Sequence, residues 1–207
     1  MREGNKEPSM RCLEILMNEH KERSRVEKTV THKVTGEQIT FVETATDTDG
    51  KYLLIEVALP PLGKGPPLHI HDRFEEEFEV ISGKLTVTLG KTKHLLAAGD
   101  QCTAPIRTPH TFTNDHDEPT VFRVRLTPPS KFEQSVRIHY GLMDDGLTDE
   151  KGNPKSLAHS ALVLTLQDTL IMGIPLRLQR GLFGFIVKRA HKKGVYAALE
   201  KYTGETL

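Results

Sequence analysis

Between Lys28 and Thr127 the chain runs in short apolar stretches that alternate with polar residues. The segments KTVTHKV, EQITFVETA, KYLLIEVAL, FEEEFEVISG, KLTVTLG, KHLLAAG, QCTAP, HTFTN and TVFRVRL are rich in β-branched and aromatic residues. Gly, Pro, Asp and Asn fall between them, with turn signals roughly every 8 to 12 residues, the spacing of a β-sandwich or barrel. The stretch ISGKLTVTLG predicts a hairpin turning at Ser82–Gly83–Lys84. After TPPS the period changes. Phe132, Val136, Tyr140 and Met143 fall at helical spacing, and DDGLTDEKGNPKS is a loop full of breakers. Leu157, Ala161, Leu164 and Asp168 share one helical face and predict a helix over 156–172. Further helices are predicted over 182–190 and 195–202, and Leu13, Leu16 and Met17 predict a short one near the N-terminus. Three regions follow: 1–27, an arm with a short helix; 28–130, a β-barrel; 131–207, a helical extension.

Composition narrows the possibilities without selecting one. The chain has 207 residues, 37% hydrophobic and 27% charged, as expected of a globular protein with its own core. Lys+Arg and Asp+Glu are both 28, so no global field favours nucleic acid. Two cysteines, Cys12 and Cys102, give no disulfide framework, and Cys102 reads as a small buried hydrophobe. No stretch approaches the roughly 20 apolar residues of a spanning helix. The charged start MREGNKEPSM lacks an apolar core, so a cytoplasmic location is expected, with Met10 as an alternative start.

Candidate chemistry begins in PPLHIHDRFEEEFEVISG, residues 66–83. Pro66 and Pro67 favour extended backbone, in which His69 and His71 point to one face. Each imidazole offers one nitrogen, and Glu76 follows within reach. Histidine with carboxylate suits Fe, Mn, Ni or Zn better than Ca or Mg. On these residues alone a metal site and a solvated, glutamate-rich strand edge are both open.

A second segment, GDQCTAPIRTPHTFTN, changes the weighing. Gly63, His69, His71, Glu76 and Gly83 stand at the spacing of the first motif of the cupin superfamily. Gly99, Pro105, His110 and Asn114 stand at that of the second. Only Arg107 departs, where the family pattern has glycine, and the fifteen residues from Lys84 to Ala98 match the short spacing familiar in bacterial members. The chain resembles this family over about 28–127. The resemblance implies a double-stranded β-helix, or jelly roll, with His69, His71, Glu76 and His110 holding one divalent transition metal. Spacing to Gly83 selects Glu76, so Glu75 and Glu77 are expected to face away. Arg107 is expected in a turn of negative φ or in a strained one, either as a solvated side chain or as a cation near the ligand entrance.

Parity extends the expectation to a pocket. If Glu76 faces the interior, so do Phe78 and Val80; if His110 does, so does Phe112, with Val87 and Leu89 joining after the turn. That set makes an apolar small-molecule pocket with a metal on one wall, or simply barrel core. Arg123 and Arg125 are expected outside. From Thr169 to Leu199 there is no acidic residue, while Arg177, Arg180, Lys188, Arg189, Lys192 and Lys193 lie among apolar residues. This reads as a helical cap over the barrel or a partner subunit with its cations in water, or as a membrane-surface helix. The leading function is a metal-dependent enzyme on a small molecule, dioxygenase-like first and isomerase-like next. The rival is a non-catalytic binding or sensing module with a structural metal. A homodimer is implied by the resemblance.

Overall fold

All nine predicted strand segments form strands in the computed structural model, which describes residues 28–207. The helix expected near the N-terminus lies outside the described residues. The strands are β1 (Thr29–Thr31), β2 (Gln38–Glu43), β3 (Leu53–Leu59), β4 (His69–His71), β5 (Glu75–Ser82), β6 (Lys84–Leu89), β7 (Thr92–Ala97), β8 (Gln101–Ala104), β9 (His110–Thr113) and β10 (Thr120–Thr127). An eleventh, β11 (Thr169–Ile171), lies in the tail. They form two antiparallel sheets, ordered β1-β2-β3-β10-β5-β8 and β11-β4-β9-β6-β7. This is the jelly roll expected, with helices C-terminal to it.

Period-two patterning makes the core. Leu53, Ile55, Val57 and Leu59 on β3 and Phe122, Val124 and Leu126 on β10 point inward and meet Phe78 and Val80 from β5. The opposite face carries the charges: Arg123 pairs with Glu56 at 3.1 Å and Arg125 with Glu77 at 3.9 Å, as expected of outward positions. Glu75 and Glu77 are exposed.

The predicted hairpin at Ser82–Gly83–Lys84 does not form. β5 pairs with β8 and β10, whereas β6 pairs with β7 and β9 in the other sheet. Gly83 is a corner between sheets: its φ is 78°, and a Cβ there would sit 2.6 Å from the Pro119 carbonyl oxygen. The tight hairpin is β6–β7, whose two-residue loop Gly90–Lys91 has φ 61° at the glycine.

In the tail, α1 (Phe132–Asp144), α2 (Leu157–Leu166) and α3 (Leu176–Lys192) are followed by a short turn and α4 (Glu200–Thr203). A second apolar cluster, including Ile138, Leu142, Leu162, Val163, Tyr196 and Leu199, binds these helices together. The helix predicted to run to Met172 stops at Leu166. Asp168 takes φ 52°, and the chain turns into β11, which pairs with β4. α1 packs into the barrel's apolar cluster, α2 lines its cavity, and the basic helix α3 meets the barrel at β11. α3 leaves Leu178, Leu182 and Phe185 exposed and sends Arg180 to Asp72. No helix among the described residues is long and apolar enough to cross a membrane.

Candidate metal centre

β4 is three residues long, yet it holds both histidines of the HxH pair on one face, buried. It lies between β9, where His110 is the register partner of His69, and β11. Glu76 enters from β5 in the other sheet. One donor atom from each of His69, His71, Glu76 and His110 lies within 4.8 Å of the rest. His69 Nε2 is 3.1 Å from His71 Nε2. His110 Nε2 is 3.1 Å from Glu76 Oε2, and His71 Nε2 is 3.6 Å from Glu76 Oε1.

The far side of each ring explains this convergence. The Nδ1 atoms of His69, His71 and His110 face the backbone carbonyls of Pro67, Asp168 and Thr108 at 2.9, 3.2 and 2.8 Å. A neutral ring that donates from Nδ1 to a carbonyl presents a lone pair at Nε2, so with the rings neutral three lone pairs and a carboxylate face one another, whereas a protonated His110 donates from Nε2 to Glu76. Three imidazoles and a carboxylate are the donor set of a transition-metal site, and four acceptors so close together call for a cation between them. Burial, with His110 and His71 nearby, lowers the His69 pKa to about 3. Burial works against the charge on Glu76, but hydrogen bonds and charge from His110 and His71 outweigh it and hold the carboxyl well below its usual range. For His110, burial is likewise outweighed by Glu76 and the Thr108 carbonyl, and its pKa rises.

The tail completes the support. Asp168 Oδ2 accepts the N–H groups of Asp72 at 2.6 Å and Arg73 at 2.7 Å, just after His71. Asp72 is gripped from two sides, by Arg107 Nε at 3.0 Å and by Arg180 Nε and Nη2 at 2.8 and 2.9 Å. The His71 ring stacks on Phe74 at 4.1 Å, and Phe74 meets Phe132 of α1 edge-on. Gln179, buried on α3, bonds both the N–H and the C=O of Ile171 and so satisfies the outer edge of β11. The sequence reading missed Asp168, Arg180 and Gln179. Asp168 carried the one signal available, an acid closing an otherwise apolar helical stripe.

A cavity of about 440 Å³ opens from this centre. His69, His71, Glu76, Phe78 and Phe112 line it, as do Ile39, Ile55, Val57, Val124, Phe132 and Val136. Of the other expected pocket residues, Val80 and Val87 keep 1% and 0% of their surface and lie in the core cluster, against which Leu89 packs. Of the apolar residues expected at the pocket, Phe78 and Phe112 line it, while Val80, Val87 and Leu89 pack behind them in the core. Arg107 is largely exposed, outside the cavity lining, with φ 62°. The strained alternative of its expectation is the one found: its N–H bonds the His71 carbonyl at 2.8 Å and its side chain holds Asp72. Cys102 is half-buried, and burial pushes its thiol up to about 11.

The motif's fixed positions also meet in space, since Asn114 N–H bonds the Gly63 carbonyl at 2.9 Å. A family model for the cupin domain matches residues 55–126. A quercetin 2,3-dioxygenase of Bacillus subtilis (strain 168) is 41% identical over 61 residues, 28% of this chain and 18% of that protein, so the match spans less than a fifth of the relative. A sugar phosphate isomerase structure from Silicibacter pomeroyi aligns at 23% identity and TM-score 0.42, covering 47% of this chain and 62% of that one. A predicted oxalate decarboxylase from Thermotoga maritima aligns at 17% and TM-score 0.44, covering 51% and 96%. The matched stretch holds both motifs and all four members of the quartet, so over residues 55–126 the chain matches the cupin domain.

Proposed function

We propose that His69, His71, Glu76 and His110 hold one divalent transition ion and that the chain is an enzyme acting on a small molecule in the adjoining cavity. The observation that carries this is the buried quartet of converging donors at one end of an apolar cavity. Oxygen-dependent conversion of an enolic or phenolic substrate is the favoured activity, supported by the local likeness to quercetin 2,3-dioxygenase; isomerisation is next. An ion with an open position would supply Lewis-acid or redox chemistry there, with Fe, Mn, Ni and Zn the candidates. The protein's own part is to aim the three Nε2 atoms through their Nδ1 anchors and to place the Glu76 carboxylate opposite them. Phe78, Phe112 and Phe132 hold an apolar substrate body and exclude water. In this reading residues 28–130 are the working barrel and 131–207 are part of its wall. The homodimer implied by the resemblance belongs to the same proposal.

The test begins with metal analysis of protein purified without added metal, beside the H110A variant. The wild type should carry about one equivalent of a transition ion, and the variant should lose most of it. Oxygen uptake is then followed across a flavonol, phenol, enol and sugar panel. An ion with tight ligand binding but no turnover would favour the binding-module alternative. A folded wild type that takes up no transition ion even when supplied would refute the metal site.

A further inference from the structure

The cavity lining holds a second polar group, whose four members lie outside the matched stretch 55–126. The β1–β2 turn brings His32 and Glu37; α1 brings His139 and Tyr140. Tyr140 Oη donates to Glu37 Oε1 at 2.6 Å, and His139 Nε2 faces the Gly152 carbonyl at 2.8 Å. The His32 ring meets Tyr140 edge-on at 5.4 Å. The lining they share with the His/Glu quartet includes the aliphatic and aromatic side chains of Ile39, Val57, Val136 and Phe78.

Glu37 is the telling member. It is half-buried and lines the cavity. Among the described residues no cation pairs with it. A carboxylate accepts several hydrogen bonds, and Tyr140 supplies one, at one oxygen. A half-buried carboxylate with open acceptor capacity is well placed to receive a ligand's donor. Burial lowers the pKa of both neighbouring histidines, which favours their neutral forms. Lys64 and Lys151 also border the cavity but are exposed. A carboxylate or phosphate group would meet repulsion at Glu37, whereas a neutral hydroxyl fits.

We propose that Glu37, positioned by Tyr140, accepts a hydrogen bond from a hydroxyl group at the end of the ligand remote from the quartet. The ligand class is then an apolar, largely aromatic body bearing a neutral hydroxyl at that end. This rests on the cavity being the ligand site and is independent of whether the quartet holds an ion.

The test uses the full chain stripped of metal, at pH 8, with 2-naphthol and 2-methoxynaphthalene as probes. The two differ by the hydroxyl proton and a methyl group. Calorimetry should show 2-naphthol binding about tenfold more tightly, the worth of one hydrogen bond to a charged group. In Glu37→Gln the amide can turn a donor toward the ligand, so the preference should disappear while 2-methoxynaphthalene still binds, which also reports an intact cavity. A crystal structure with 2-naphthol should place its oxygen within hydrogen-bond distance of Glu37. Equal affinities in the wild type, no binding of either probe, a preference that survives Glu37→Gln, or an oxygen placed away from Glu37 would each overturn the proposal. None of these results depends on the ion, so the metal reading stands or falls separately.

Discussion

Asp168 ties the tail to the His/Glu quartet, and replacing it tests whether that tie matters. Its carboxylate is 13% exposed and accepts two backbone N–H bonds, at 2.6 and 2.7 Å, from the residues that follow His71. A hydrogen bond to a charged group contributes about 1.5–3 kcal/mol when dry. The Arg73 end is exposed, so water recovers part of the loss, and about 2 kcal/mol for the pair is reasonable. Asp168 also adopts φ 52°, where alanine costs about 1 kcal/mol more. Asp168→Ala should therefore destabilise by about 3 kcal/mol, a fall of roughly 10 °C in Tm at this chain length. Asp168→Asn keeps a carbonyl acceptor and tolerates the left-handed backbone, so it should cost about 1 kcal/mol. The Asp168 carbonyl also orients His71 through Nδ1. Alanine keeps that carbonyl, but without the side-chain bonds to Asp72 and Arg73 that hold the turn it should sit less firmly, and metal affinity should weaken by about tenfold, the low end for disturbing a group that orients a ligand. Thermal unfolding and chelator competition measure the two effects. If Asp168→Ala matched the wild type in both, the tail would be packing beside the site without shaping it.

Arg180→Ala removes a bidentate grip on Asp72 by a side chain that is 43% exposed, so it should lower stability by only about 1 kcal/mol in urea unfolding; Asp72→Ala, which loses both arginines, should cost more. Burial raises the pKa of Glu37, partly opposed by its hydrogen bond from Tyr140. Between 4.5 and the raised value the folded protein therefore keeps a proton that the unfolded chain has released. Stability should fall as pH rises through that window, and Glu37→Gln should remove this slope in urea titrations run across pH. Cys102, with its thiol pushed up to about 11, should resist iodoacetamide at pH 7.5 in the folded protein and react after unfolding, as peptide mass spectrometry would show.

What could be read in advance was local or strictly spaced. Strands with inward Leu53, Ile55, Val57 and Leu59 announce themselves by alternation. The quartet followed from motif spacing, which also picked Glu76 from its neighbours: Glu75 and Glu77 do point outward. The failures share a cause, because each turned on a partner distant in sequence. Ser82–Gly83–Lys84 looks like a hairpin by its residues, and only the pairing of β5 with β10 and of β6 with β9 makes it a corner. Leu157 to Asp168 keeps helical spacing, but β4 recruits Thr169–Ile171 as a strand from about a hundred residues away. Arg107 could not be resolved locally, since what holds its positive φ is a bond to His71 and a carboxylate on Asp72.

These long-range contacts divide the work of the site. The donor atoms all belong to 55–126, where two short motifs and barrel register bring them together. Ile55, Val57, Phe78, Phe112 and Val124 of the same stretch give part of the wall, and the rest comes from elsewhere: Ile39 and Glu37 from the β1–β2 hairpin, Phe132, Val136 and Tyr140 from α1, Val163 and Leu164 from α2, and Thr169 and Ile171 from β11. Tyr140 and Val136 also belong to the barrel's own apolar cluster, so α1 is packed into the core rather than laid over it. A substitution in the quartet should therefore change whether an ion is held, while one in the α1 stripe should change which molecule reaches it. The basic helix α3 stands apart from both: it braces β11 through Gln179 and Asp72 through Arg180, and it reaches the chemistry only through the strand that positions His71.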